Sequence, residues 1–162
     1  GKNYIAPWQG GFGTTLSWKG FSLNAQFSWV ADRWMFNNDR FFEESNGLYT
    51  VYNQSRRLLY DRWKKPGDVT DIPRYGITPQ MDSRFLEDAS FLRLKNLTLG
   101  YAVPQNWLEK THFFDSARIY VQGQNLLTFT KFSGIDPESS SNIYAAQYPM
   151  SRQFTLGIEL SF

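Results

Sequence analysis

The chain contains no cysteine and a single histidine, His112, in 162 residues. Without thiols there is neither a disulfide framework nor a thiolate metal site, and one imidazole cannot build a multi-histidine zinc centre. Charge of one sign is missing too. Seventeen Lys/Arg face fifteen Asp/Glu, a balance of +2 that leaves no basic footprint for nucleic acid. Long apolar runs are absent, the longest falling far below the ~18 residues a membrane-spanning helix needs, and mean hydropathy is −0.48. Membrane helices are thereby excluded. Membrane strands are not, because only every second residue of a barrel strand must be apolar. Gly1-Lys2-Asn3-Tyr4 lacks an initiator Met, a basic n-region and an apolar h-region, so a processed or excised piece of a longer chain is expected.

What the chain does have is aromatics, 18% of its residues, and period-two alternation. Phe12, Thr14, Leu16 and Trp18 alternate with Gly13, Thr15 and Ser17. After the turn signal Lys19-Gly20, Phe21, Leu23, Ala25, Phe27, Trp29 and Ala31 alternate with Ser22, Asn24, Gln26, Ser28 and Asp32, which reads as a tight hairpin. A third stretch sets Leu97, Leu99, Tyr101 and Val103 against Thr98, Gly100 and Ala102, with Phe91, Arg93 and Lys95 in the same phase upstream; Pro104 stops it. A fourth sets Ala117, Ile119, Val121, Gly123 and Leu127 against Ser116, Arg118, Tyr120, Gln122 and Gln124. The last is the cleanest, with Phe154, Leu156, Ile158, Leu160 and Phe162 alternating with Gln153, Thr155, Gly157, Glu159 and Ser161. Five strands are expected, at about 11–18, 21–32, 90–103, 115–129 and 151–162.

Two connections are long, 33–89 and 130–150. Structureless loops of that size are unusual in a compact domain and are commonly functional. The first is rich in aromatics and mixed charge, which argues for order, and Leu48, Tyr52, Ser55, Leu59 and Arg62 fall at helical spacing, predicting a helix within Gly47 to Trp63. The second carries Gly134-Ile135-Asp136-Pro137-Glu138 and a serine run.

Alternation fits a soluble sandwich or a membrane barrel. The connections run short, long, short, long, which is the pattern of outer-membrane barrels with tight periplasmic turns and long outer loops. Strands of about ten residues at ~3.3 Å rise, tilted near 45°, match the roughly 25 Å apolar band. Trp18 and Phe21 at the first turn, with Tyr101 and Trp107 at the second, lie where an interfacial aromatic girdle belongs. The barrel is favoured on these grounds, and five strands are too few to close one, since about eight are needed.

The run Ser90-Phe91-Leu92-Arg93-Leu94-Lys95-Asn96-Leu97-Thr98-Leu99-Gly100-Tyr101, then Ile119 to Leu126, Gly134 to Glu138, Tyr148-Pro149 and Phe154 to Phe162 resemble the C-terminal end of SusC/RagA-type TonB-dependent outer-membrane transporters. Gly10-Gly11-Phe12, Trp18 to Phe21, Asp61-Arg62-Trp63 and Asp71-Ile72-Pro73-Arg74 resemble the same family, so the likeness spans nearly the whole chain. The resemblance implies an all-β chain, 1–162, forming the last five strands of a barrel of about 22, with two long outer loops and no plug domain within these residues. It further implies nutrient import at the outer membrane of a Gram-negative, Bacteroidetes-type bacterium, with the C-terminus periplasmic. The partners it implies are the rest of the transporter, membrane lipid, a SusD-like lipoprotein, TonB through an N-terminal part absent here, and oligosaccharide or peptide cargo. No cofactor, metal or nucleic acid is expected.

Phe154, Leu156, Ile158, Leu160 and Phe162 match the terminal signal by which barrel-assembly machinery selects its clients; a plain apolar sheet face is the alternative. Tyr60, Trp63, Arg74 and Tyr75 in the first loop, with Asp136 and Glu138 in the second, are the candidate cargo or partner contacts. Asp68 and Asp71, or Asp136 and Glu138, do not reproduce a calcium loop and are expected to accept from turn amides instead. Carboxylate pairs such as Glu43/Glu44 and Glu87/Asp88 are only neighbours in sequence, so no enzyme is expected. His112, beside Phe113 and Phe114, is expected to pack or to sit at an interface. The competing function is a secreted β-sandwich module that stacks aromatics on sugars; it would be soluble alone.

Overall fold

The computed structural model describes residues 1–111 and 113–162, so the role expected for His112 lies outside the described residues. Its elements are β1 (Trp8–Trp18), β2 (Phe21–Ala31), β3 (Trp34–Asn37), α1 (Asn38–Glu43), α2 (Arg57–Tyr60), β4 (Leu86–Asp88), β5 (Phe91–Ala102), α3 (Gln105–Leu108), β6 (Ser116–Thr130), β7 (Ile143–Tyr144) and β8 (Gln153–Ser161). The chain divides into two compact units. A sheet unit comprises Trp8–Ala31, Phe91–Thr130 and Met150–Phe162; a loop unit comprises Gly1–Pro7, Asp32–Ser90 and Lys131–Pro149. The two stretches expected as outer loops, together with the first seven residues, therefore fold as a body of their own.

In the sheet unit, β1-β2-β5-β6-β8 form one sheet in that order, and all four pairings are antiparallel. The first hairpin turns at Lys19 and Gly20, both at positive φ (47° and 88°), the geometry in which a two-residue turn matches the twist of its flanking strands. The register between β5 and β2 shifts at Lys95: Gln26 pairs with Asn96, but Phe27 pairs with Leu94. This β-bulge corrects the expected phase. Upstream of Lys95 it is Leu94 and Leu92, not Phe91 and Arg93, that share a face with Leu97 and Leu99. On β6 the chain answers at Asn125 and Leu126, with Asn125 at φ 52°, so Leu127 rejoins the apolar side opposite Leu94.

The loop unit holds a short three-stranded sheet of order β4-β3-β7, in which β7 runs parallel to β3. Its core is Met35, Ala89, Phe132 and Tyr144, with Phe132 and Tyr144 edge to face at 5.1 Å. The helix expected within Gly47 to Trp63 shrinks to the four residues of α2. Asn46 and Gly47 sit at positive φ and break the first turn, while Tyr49 and Tyr52 pack on Phe42 at 4.9 and 5.2 Å. Aromatic packing has overridden helical spacing there. The helix that forms instead is α1, capped by the Asn37 side chain, which accepts from the Arg40 N–H.

Candidate functional site

The register aligns side chains into rows across all five strands. Leu16, Leu23, Leu99, Val121 and Leu156 form one row, and Trp18, Phe21, Tyr101, Ile119 and Ile158 the next. On the opposite face run Thr15, Asn24, Thr98, Gln122 and Thr155, then Gly13, Gln26, Asn96, Gln124 and Gln153. Phe12, Leu16, Phe27, Leu99, Ile119, Val121, Leu156 and Ile158 lie on the first side. Ser17, Asn24, Gln26, Gln122, Gln124 and Thr155 lie on the second.

The apolar side is uncovered, with Ile119 44% and Phe154 74% exposed. Among the described residues of this unit no second sheet packs on it. The polar side bonds laterally instead. Gln122 donates to Asn96 (2.7 Å), Asn24 to Thr15 (2.9 Å), Arg93 Nε to Thr128 (2.9 Å), and Arg118 to Glu159 (3.2 Å). Aromatic rings gather at the short-turn end, where Phe21 lies 4.6 Å from Tyr101 and Trp18 and Trp107 are exposed. Phe162 closes this group, 5.9 Å from Phe113.

The loop unit is organised by three arginines and three carboxylates. Arg40 meets Glu44 at 3.0 Å, Asp71 at 3.1 Å and Glu87 at 3.2 Å; Arg57 meets Glu44 at 2.7 Å and Asp71 at 2.8 Å; Arg84 lies 3.9 Å from Glu44. Burial works against the Arg40 charge, but its bonds to Glu44 and Glu87 prevail and raise its pKa. Burial likewise raises Glu87, and the Ser133 N–H and hydroxyl with Arg40 outweigh it, holding the carboxyl below its ordinary range. The adjacent-carboxylate pairs of the sequence therefore resolve differently: Glu44 and Glu87 converge, on one guanidinium, and each is spent in ion pairs.

Arg33 secures the second long loop by donating to the carbonyls of Pro137 (3.3 Å), Ser139 and Ser141 (3.3 Å). Burial lowers its pKa, and the nearby Glu138 charge opposes that. Asp39 adds a second fastening by accepting the Ala146 N–H at 2.9 Å.

The candidate contacts fare unequally. Tyr60 is 66% exposed with the Arg56 guanidinium 5.8 Å from its ring, and Tyr75 is 69% exposed under Arg62 at 5.6 Å. Trp63 is half-buried and lines a cavity of about 480 Å³ with Thr70 to Pro73, Ile77 to Gln80, Asp82 and Arg84. Arg74 is exposed, and its carbonyl accepts from Asn46. Asp136 is buried and accepts the Glu138 N–H at 2.9 Å, which gives it a turn-forming place rather than a contact surface; Glu138 is half-buried. Asp68 likewise accepts the N–H groups of Lys64 and Lys65. Sequence reasoning passed over Arg33, Arg40 and Arg57, and met Glu44 and Glu87 only as members of adjacent carboxylate pairs. Arg40 and Glu44 at i,i+4 carry a local signal; the Arg33 contacts, over a hundred positions away, carry none.

A wide antiparallel sheet, apolar and uncovered on one face, hydrogen-bonded and polar on the other, with aromatics at its short-turn end, defines a sector of an outer-membrane-type β-barrel. No family model matches the chain. The TonB-dependent receptor P3 of Formosa agariphila is 34% identical over 165 residues, which cover 94% of this chain and 16% of that receptor. The TonB-dependent receptor SusC of Bacteroides thetaiotaomicron is 40% identical over 82 residues, 51% of this chain and 8% of SusC. The RagAB peptide importer in its open-open state superposes with a TM-score of 0.90 at 44% identity, over 99% of this chain and 18% of the matched chain. The homologues of this chain are thus TonB-dependent receptors, SusC among them, and its structural neighbours are of the RagA type; the chain spans about a sixth of the length of the curated relatives that match most of it. These relatives are receptors and transporters rather than enzymes.

Proposed function

We propose that the chain supplies the last five strands and two outer loops of a TonB-dependent importer in the outer membrane of a Gram-negative, Bacteroidetes-type bacterium. The importer takes up oligosaccharides or peptides together with a SusD-like surface lipoprotein, and TonB engages an N-terminal part not contained in these residues. In this reading Phe12, Leu16, Phe27, Leu99, Ile119, Val121, Leu156 and Ile158 face lipid, while Ser17, Asn24, Gln26, Gln122, Gln124 and Thr155 face the lumen. The short turns and the C-terminus are periplasmic.

The observation that carries the proposal is the uncovered apolar face, which runs unbroken across five strands and would be unsupportable in water at this size. The edges add to it. Among the described residues neither β1 nor β8 has an outer neighbour in the sheet, and backbone polar groups at an open edge are not tolerated in lipid, so further strands of the same barrel belong on both sides. Spin labels at positions 156 and 155 of the intact transporter in vesicles test the assignment. Accessibility to oxygen at 156 and to a water-soluble quencher at 155 is expected; the reverse pattern, or equal exposure to both, overturns it.

A further inference from the structure

On the apolar face of the sheet unit, two of the cross-strand rows enclose a groove of about 560 Å³. Leu16, Leu23, Leu99 and Val121 form one wall, and Trp18, Phe21 and Tyr101 form the other. Between them Ser17 and Ser22 send their side chains to the opposite face and, with Gly100, leave backbone as the floor. The walls lie two residues apart along each strand, roughly 7 Å, which admits a single hydrocarbon chain and shuts out a helix of about 10 Å diameter.

The polar groups at its short-turn end are unspent. The Trp18 indole N–H and the Tyr101 hydroxyl make no hydrogen bond among the described residues. Beyond them stands Lys19, whose ammonium lies 5.0 Å from the Trp18 ring and forms no ion pair among the described residues. Its place is fixed by the turn. Lys19 and Gly20 hold positive φ, the Ala102 N–H donates to the Gly20 carbonyl at 2.8 Å, and the Tyr101 ring packs so close that a Cβ at Gly20 would stand 3.3 Å from it. Arg118, a cation nearby on the polar face, is engaged with Glu159 and Ser22.

From the turn inward the order is therefore a cation, then N–H and O–H donors, then an apolar trough. A phospholipid presents the complementary order of phosphate, ester carbonyls and acyl chain, and interfacial Trp and Tyr sit at the headgroup level of a bilayer. We propose that this groove binds one anionic phospholipid of the inner leaflet, with its phosphate at Lys19, an ester carbonyl at Trp18 or Tyr101, and an acyl chain between the two rows. The proposal rests on the lipid-facing assignment above and adds to it a site that holds one lipid by its headgroup. A zwitterionic headgroup fits less well, because it brings its own ammonium to the phosphate that Lys19 meets.

The test is native mass spectrometry of the full-length transporter with its lipoprotein, released from nanodiscs of phosphatidylethanolamine and phosphatidylglycerol in equal amounts and, separately, purified directly from outer membranes. One phosphatidylglycerol is expected to stay bound after bulk lipid is stripped, favoured about fivefold over phosphatidylethanolamine. Lys19→Gln should remove that preference and Lys19→Arg should keep it. Leu99→Trp, which fills the groove, should abolish retention, while Leu156→Trp, in the same row beyond the groove, should not. Heat-modifiable migration verifies each barrel, and the Lys19 pair, in an exposed turn, carries the test if Leu99→Trp does not fold. No retained lipid, no headgroup preference, a preference unmoved by Lys19→Gln or retention unmoved by Leu99→Trp each overturns the site. Lipid A retained in its place overturns it too, by putting the short turns in the outer leaflet. If cells still take up oligosaccharide or peptide in those cases, the importer reading stands; a chain that gives no heat-modifiable barrel and no uptake defeats that reading itself.

Discussion

Leu156 and Ile158 sit two apart on β8, aligned with Val121 and Ile119, while Thr155 between them faces Gln122. That alternation was legible in the sequence because the backbone of a strand imposes it without help from any distant residue. It also sets a sharp expectation. Leu156→Arg or Ile158→Arg should lower barrel stability by about 2–4 kcal/mol near the bilayer midplane, and Thr155→Arg by much less, read from urea midpoints of the heat-modifiable form. Equal losses on both faces would contradict a lipid side. Phe162 poses a separate question, since its ring meets Phe113 and could act by packing alone. Deleting Phe162 should reduce outer-membrane levels of the parent chain without lowering its synthesis, while Phe113→Ala should not. Comparable loss from both changes would make the terminal residue a packing residue rather than an assembly signal. Asp136 marks the limit of reading at this scale. Its type and setting suited a contact, but burial and the Glu138 amide, which only the fold supplies, give it to a turn.

Between residues and whole units, what was hidden in the sequence was hidden for identifiable reasons. The bulge at Lys95 shifts phase by one residue, and no local composition announces it; its trace is the apolar Leu92 and Leu94 on what alternation alone makes the polar side. β3, β4 and β7 are two to four residues long, too short to show a period, and exist because Met35, Ala89, Phe132 and Tyr144 close over one another. The arginine and carboxylate cluster is likewise assembled from α1, α2, β4 and the turns between them. Its acid response has a definite sign. Glu87 has a folded pKa below its unfolded one, so it stabilises the loop unit at neutral pH, and that contribution fades as pH falls through the ordinary carboxylate range and on to the depressed folded value. Limited proteolysis of the loop unit in the intact transporter should therefore accelerate on acidification across this window. Glu87→Gln, which removes the charge facing Arg40, should raise the neutral-pH rate and flatten the dependence. An unchanged profile in the variant would place the acid sensitivity on another group.

At the scale of the molecule, the long-loop and long-strand residues separate into two bodies, and function divides along the same line. The sheet unit has little choice of chemistry, since one face must satisfy lipid and the other must satisfy itself. The loop unit has surface to spare, with Tyr60 and Tyr75 exposed and Trp63 opening on a cavity, and under the proposed function this is the surface to test for recognition of cargo or lipoprotein. The geometry also shows how to remove that surface without unmaking the unit. Arg57 and Asp71 are joined by an ion pair of 2.8 Å, which places the two ends of residues 59–70 within reach of a short Gly-Ser linker. Replacing 59–70 in this way takes out Tyr60 and Trp63 and keeps Arg57, Asp71, the buried Ile72 and the core around Met35. The full transporter carrying this replacement should still assemble as a heat-modifiable barrel, and should show impaired cargo uptake, impaired capture of its lipoprotein, or both. Uptake distinguishes cargo recognition when co-purification of the lipoprotein is unchanged; loss of co-purification points to the partner surface. If uptake and complex formation both survive, residues 59–70 recognise neither, and the contacts are made by what the replacement leaves in place, the exposed Arg74 and Tyr75 among them, or by the larger part of the transporter.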